Sequence, residues 1–202
     1  MALLFAKNNS LSAVTALPAS VSGGGLNLIS TQTASSSANI SFTSGLDSTY
    51  KAYIFKFYDI HPATNGVAFQ FNLSVDSGSN YNVTKTSTSY RAYLYEDGSS
   101  GTLQYEANHD LAQSTSAERL CAADLGNDND QSLSGTLELF DISNTNFVKH
   151  YIAQTHHCHE ADLAVNFFKG GYGNTTSAID AVQFTMSSGN IDSGTIKLYG
   201  VT

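Results

Sequence analysis

What most constrains this chain is a two-residue rhythm. The runs "NISFTSG", "AYIFKFYDI", "VAFQFNLSV", "SYRAYLYE", "GTLELFDI", "FVKHYIAQ", "ADLAVNFF", "AVQFTMSS" and "GTIKLYGV" either alternate apolar with polar residues or are dense in β-branched and aromatic ones. Successive side chains of an extended strand point to opposite faces, so such runs predict strands laid against a core. The segments between them carry turn chemistry: "HPATNG" at 61–66, "DSGSN" at 76–80, "EDGSSG" at 96–101, "KGGYGN" at 169–174 and "SSGNIDSG" at 187–194. A helical period is weak and confined to "SAERLCAADL" at 116–125, and no strand–helix–strand alternation or internal repeat is visible. The expectation is an all-β fold of nine or ten strands, an antiparallel β-sandwich of jelly-roll type, with a closed barrel as the second choice.

One run gives more than its own existence. In "AYIFKFYDI" strict alternation groups Tyr53, Phe55, Phe57 and Asp59 on one face and Ile54, Lys56, Tyr58 and Ile60 on the other. Both faces meet apolar surroundings, which predicts a central strand.

With 202 residues, 41% of them hydrophobic, the chain can fill one core, and we assign residues 26–202 to a single sandwich domain. Residues 1–25 follow no sustained period and end in Gly23, Gly24 and Gly25, so they are expected to form an extended N-terminal arm. Its apolar residues Leu3, Leu4, Phe5, Leu11, Val14 and Leu17 are the candidate partner-binding positions, suited to strand addition or clasping. The first residues lack the basic start and long apolar core of a secretory signal, and no segment approaches a membrane span, so no membrane role is expected. A formal charge of -8 repels phosphate backbones and argues against nucleic acid as a partner. Cys121 and Cys158 are expected to be free thiols.

The densest chemistry lies in "THHCHE", residues 155–160. In a strand His157 and His159 share a face, so they could fill two corners of a transition-metal site, with His150, His109 or Cys121, or the same pair from neighbouring subunits, completing it. The competing and favoured reading is a polar hairpin tip between two strands. "DLGNDNDQS", 124–132, offers oxygen donors but lacks the glycine and closing glutamate of a calcium loop, and reads as an exposed acidic loop. Catalytic signatures are absent from the sequence, so neither enzyme activity nor a catalytic residue is expected. Tyr90, Tyr93, Tyr95 and Tyr105, with Asp97 and Asn108, could form a sugar-stacking face or merely pack a sheet edge.

Two segments go further. "LISTQTASSSANISFTSGLDSTYKAYIFKFYDIHPATN", 28–65, and "FTMSSGNIDSGTIKLYGV", 184–201, resemble a family of small β-rich proteins encoded in structural gene clusters of tailed bacteriophages, marine cyanophages among them. The resemblance implies a virion component, made in the host cytoplasm and resident on the particle, and it carries no catalytic residue; the histidine cluster is no part of it. Without a fibre shaft, the chain is expected to be a capsid decoration or cement protein, a homotrimer bound to the major capsid protein or another virion protein. The alternative is a tail or head-fibre adhesin that contacts host glycans through loops 96–101 or 169–174.

Overall fold

The computed structural model describes residues 25–202. Twelve strands follow in chain order: β1 (Leu26–Thr33), β2 (Ile40–Phe42), β3 (Ala52–Pro62), β4 (Phe69–Ser74), β5 (Lys85–Tyr95), β6 (Gly101–Tyr105), β7 (Glu118–Arg119), β8 (Leu133–Phe140), β9 (Lys149–Cys158), β10 (Leu163–Gly173), β11 (Ala181–Met186) and β12 (Ile191–Val201). Among the described residues the helical content is one 3₁₀ turn, Ala107–His109. All pairings are antiparallel, and they build a large sheet in the order β1-β12-β3-β8-β9-β10-β5-β6 and a small sheet β2-β11-β4-β7. The two sheets pack as a sandwich, as the alternation predicts.

The nine runs read from the sequence all become strands; β1, β6 and β7 escape that reading. β6 is an edge strand exposed along most of its length, β7 has only two residues, and β1 is an edge strand with a register shift between Leu28 and Ser30. β1 and β6 bury neither face and so have no reason to alternate, and two residues of β7 are too few to show a period.

The core is aromatic at its centre. β3, β8 and β12 of the large sheet present Phe55, Phe57, Leu137, Ile196 and Leu198 to Phe69, Phe71, Val182 and Phe184 of the small sheet, all essentially fully buried. Phe184 meets the rings of Phe42, Phe55 and Phe57 edge-on at 6.1, 5.1 and 5.3 Å and stacks on Phe69 at 5.7 Å.

Three expectations are corrected. β3 is central as expected, but its alternation fails at Asp59, which takes φ +49° and is exposed while Ile60 turns into the core. The register on both neighbours slips there, a β-bulge, and Gly194 at φ +120° stands opposite, where a Cβ would lie 2.7 Å from the Asp59 carbonyl oxygen. "SAERLCAADL" is extended rather than helical: the Leu120 and Leu125 amides donate to the carbonyls of Phe69 and Val67 at 2.8 and 3.1 Å, and Leu120, Cys121 and Leu125 are buried. "KGGYGN" is no turn but mostly strand β10; Gly171 is small because a Cβ there would lie 2.5 Å from the Tyr151 hydroxyl.

The large sheet is twice as wide as the small one. Without β5, β6, β9 and β10, eight strands remain; counted along the chain, they lie 1-8-3-6 in one sheet and 2-7-4-5 in the other. The hairpins β5–β6 and β9–β10 widen the large sheet beyond its partner, and the inner face of that extension is covered by the chain between β6 and β8. The candidate site lies under that cover. Both cysteines are free thiols, Cys121 buried and Cys158 partly so.

Candidate functional site

The inner face of the extension is charged where the rest of the sandwich is apolar. Strand β5 turns Lys85, Ser87 and Ser89 inward, and Arg91 follows on the same face; β9 contributes Tyr151, Thr155 and His157, and β10 contributes Phe167 and Lys169. The covering chain supplies the acids Glu106, Glu118 and Asp124, all buried.

Each acid faces basic groups. Arg91 links two of them, its Nε 2.8 Å from Glu106 Oε1 and its Nη1 2.7 Å from Asp124 Oδ2. His109 Nδ1 lies 2.8 Å from the other oxygen of Glu106. His157 donates from Nε2 to Asp124 Oδ1 at 2.8 Å, and His159 approaches Asp124 Oδ2 at 3.4 Å. His159 Nδ1 accepts from the Ala161 amide at 2.9 Å, which leaves its proton on Nε2, facing the carboxylate. Deeper in, Glu118 accepts from Lys169 Nζ at 2.7 Å and from the Tyr151 hydroxyl at 2.6 Å.

Burial and pairing pull these groups in opposite directions. Burial alone would raise the Asp124 carboxyl, but His157, His159 and Arg91 outweigh it and hold the group below the usual carboxylate range. Burial, with Arg119 nearby, lowers His109 against the pull of Glu106. Lys85, enclosed with only the Asn72 side chain and the Val83 carbonyl as partners, is pushed down to about 8 by burial despite Glu118. Burial pushes the Cys121 thiol up to about 12, so it is a packed side chain and not a nucleophile. Burial and then Glu118 raise the Tyr151 hydroxyl.

This arrangement clasps the covering segment to the sheet. An ion bridge that leaves one partner behind when it opens is costly to break, so Arg91, Lys169 and His157 fasten residues 106–126 in one position.

The sequence-derived candidates fare unevenly. His157 and His159 do share one face, and a third group does face both, but it is Asp124 and not His150, which lies on the opposite face of β9. The polar-tip reading holds only for His159 and Glu160, in the turn after β9; His157 is fully buried inside the strand. His157 Nε2 and the Arg91 guanidinium each hold one oxygen of Asp124. Among the described residues no group of three or more His, Cys, Asp or Glu side chains is arranged to hold a metal ion. The stretch 124–132 is not wholly exposed, because Asp124 at its head is buried.

The four tyrosines divide between faces. Tyr90 and Tyr105 are cross-strand partners on the outer face, where Tyr90 stacks on Phe168 at 4.8 Å. Tyr93 lies on the other face with Arg91, whose guanidinium is 5.2 Å from its ring centre. Loop 96–101 is a turn closed by the Ser99 amide donating to Asp97 Oδ1 at 2.8 Å, and Asn108 sits apart in the 3₁₀ turn. The arm positions Leu3, Leu4, Phe5, Leu11, Val14 and Leu17 lie outside the described residues.

Sequence reasoning missed Arg91, Glu106, Glu118, Tyr151 and Lys169. The available signal was the spacing of Lys85, Ser87, Ser89 and Arg91, a polar stripe at period two, beside an acid-bearing segment with no strand pattern of its own. Comparisons of the chain with protein-family models, with curated proteins and with solved structures find no match.

Proposed function

We propose that this chain is a non-enzymatic structural protein of a tailed-phage virion that decorates and cements the head as a homo-oligomer, with a trimer as the expected state and the major capsid protein or another virion protein as its partner. Its sequence resemblance at 28–65 and 184–201 motivates the reading. The observation that carries it is the place where the described chain begins: Gly25 lies beside Thr202, at the start of strand β1, which among the described residues is an edge, and where Leu26 and Leu28 are 41% and 56% exposed. An apolar arm that leaves from a sheet edge can clasp a neighbour by strand addition. The interleaved order 1-8-3-6 and 2-7-4-5 supports, as a finer reading of the fold, a jelly roll with β5–β6 and β9–β10 as inserted hairpins.

A tail or head-fibre adhesin is the second reading, favoured by the exposed outer-face rings of Tyr90 and Tyr105. The number of copies separates the two. Quantitative mass spectrometry of purified particles should give a ratio to the major shell protein of one to one, or one to a small integer; about a dozen copies per particle would replace the cement reading with the adhesin.

A further inference from the structure

Nine Lys and Arg residues are present, and with Lys7 outside the described residues eight remain. Seven are engaged: Lys51, Arg91 and Lys169 with carboxylates, Lys85 and Lys149 with amide or carbonyl oxygens, and Lys56 and Lys197 over tyrosine rings. Arg119 has no such partner among the described residues.

Arg119 lines a pocket of about 410 Å³ beside the clasp, together with Gln70, Asn108, His109, Asp110 and Ser116. Its position is fixed from behind. Glu118, the preceding residue, is locked inward by Lys169 and Tyr151, and Arg119 itself is paired in register with Gln70 of β4. A planar guanidinium whose backbone is paired to β4 and which has no carboxylate partner among the described residues suits bidentate recognition of a ligand oxyanion.

The remaining wall narrows the class. Gln70, Asn108 and Ser116 offer donors and acceptors at the scale of hydroxyl groups. Asp110, held by the Ser89 hydroxyl at 2.7 Å and by the Tyr105 hydroxyl, is a fixed anion in the same pocket. A free polyanion such as phosphate would meet Asp110 and the chain's charge of -8, whereas a ligand with one carboxylate and several hydroxyls can place the first at Arg119 and donate from the second to Asp110.

We propose that this pocket binds a carboxylated sugar, of the uronic acid class, through Arg119. The proposal is independent of the shell role and stands or falls without it.

The test is titration of the full chain with glucuronate, followed by NMR or calorimetry, with glucose and inorganic phosphate as separate arms. Saturable glucuronate binding is expected, with no binding of glucose, phosphate at least about tenfold weaker, and a loss of about tenfold or more in Arg119→Ala, the scale of one charge-assisted hydrogen bond. Lys197→Ala serves as the control cation and should bind as the unaltered protein does. An absence of glucuronate binding, equal binding by Arg119→Ala, or phosphate binding as tight as glucuronate would each overturn the assignment. Because the Arg119 side chain has no carboxylate or hydrogen-bond partner among the described residues, the melting temperature of Arg119→Ala should stay unchanged, which keeps the result interpretable.

Discussion

The two halves of the large sheet solve the same problem with different chemistry. Around β3, β8 and β12 the inner face is apolar and meets a second sheet, where Phe184 alone touches four other phenylalanine rings. Around β5, β9 and β10 the inner face carries Arg91, His157 and Lys169, and what meets them is the chain between β6 and β8, bearing Glu106, Asp124 and, in the two-residue strand β7, Glu118. Apolar packing is non-directional and tolerates many covers; an ion-paired face accepts only a cover whose acids fall opposite its bases. The difference teaches that an extension reaching past most of its partner sheet can still be closed, and closed in one register, by matched charges.

The largest effect should come from the apolar half. Phe184→Ala is expected to cost about 3–5 kcal/mol in denaturant unfolding, through the cavity left among four rings. A loss below about 1 kcal/mol would mean that the aromatic centre does not hold the two sheets together.

Next comes the deepest charge pair. Lys169→Met leaves Glu118 buried without its cation and should cost about 3 kcal/mol, whereas Glu118→Gln combined with Lys169→Met removes the lone charge while keeping an acceptor for the Tyr151 hydroxyl, and should recover most of that loss. Failure of the double substitution to recover would show that the pair contributes more than the avoidance of a lone buried charge.

Asp124 gives the comparison a pH axis. Its carboxyl is held below the ordinary range in the folded state, so its contribution is present above about pH 4 to 5 and is lost as pH falls through the folded value. Asp124→Asn should therefore cost about 2 kcal/mol at pH 7 and progressively less toward pH 3, read from urea midpoints along the series. Parallel pH curves for the two proteins would remove Asp124 as the acid-sensitive group.

The smallest effect is steric. Gly171→Ala brings a methyl against the Tyr151 hydroxyl and the Thr86 carbonyl, at 2.5 and 2.7 Å, and should cost about 1 to 2 kcal/mol, while Gly170→Ala, whose Cβ meets nothing within 4 Å, should cost less. Equal melting temperatures for the two would contradict the role given to Gly171.

How much was legible follows the same division. The alternation of β3, β8, β11 and β12 was readable because one face of each meets a continuous apolar layer. The bulge at Asp59 was not, since nothing local in "FYDIHP" marks where Ile60 takes over the core face; the demand comes from Gly194, across the sheet. His157 and His159 were rightly placed on one face, but their partner Asp124 lies 33 residues from His157, and no period connects a strand to the loop that covers it. The glycines of β10 looked like a turn because sequence carries the small size of Gly171 but not the ring of Tyr151 above it.

The central claim is that matched charges, and not the aromatic core, fasten the extension. Native-state hydrogen exchange of the full chain, compared with its Asp124→Asn form at pH 7, tests it strand by strand. The account predicts that protection falls in β5, β9, β10 and residues 120–126 while β3, β11 and β12 keep theirs; an equal loss across both halves, or none in β9 and β5, would contradict it.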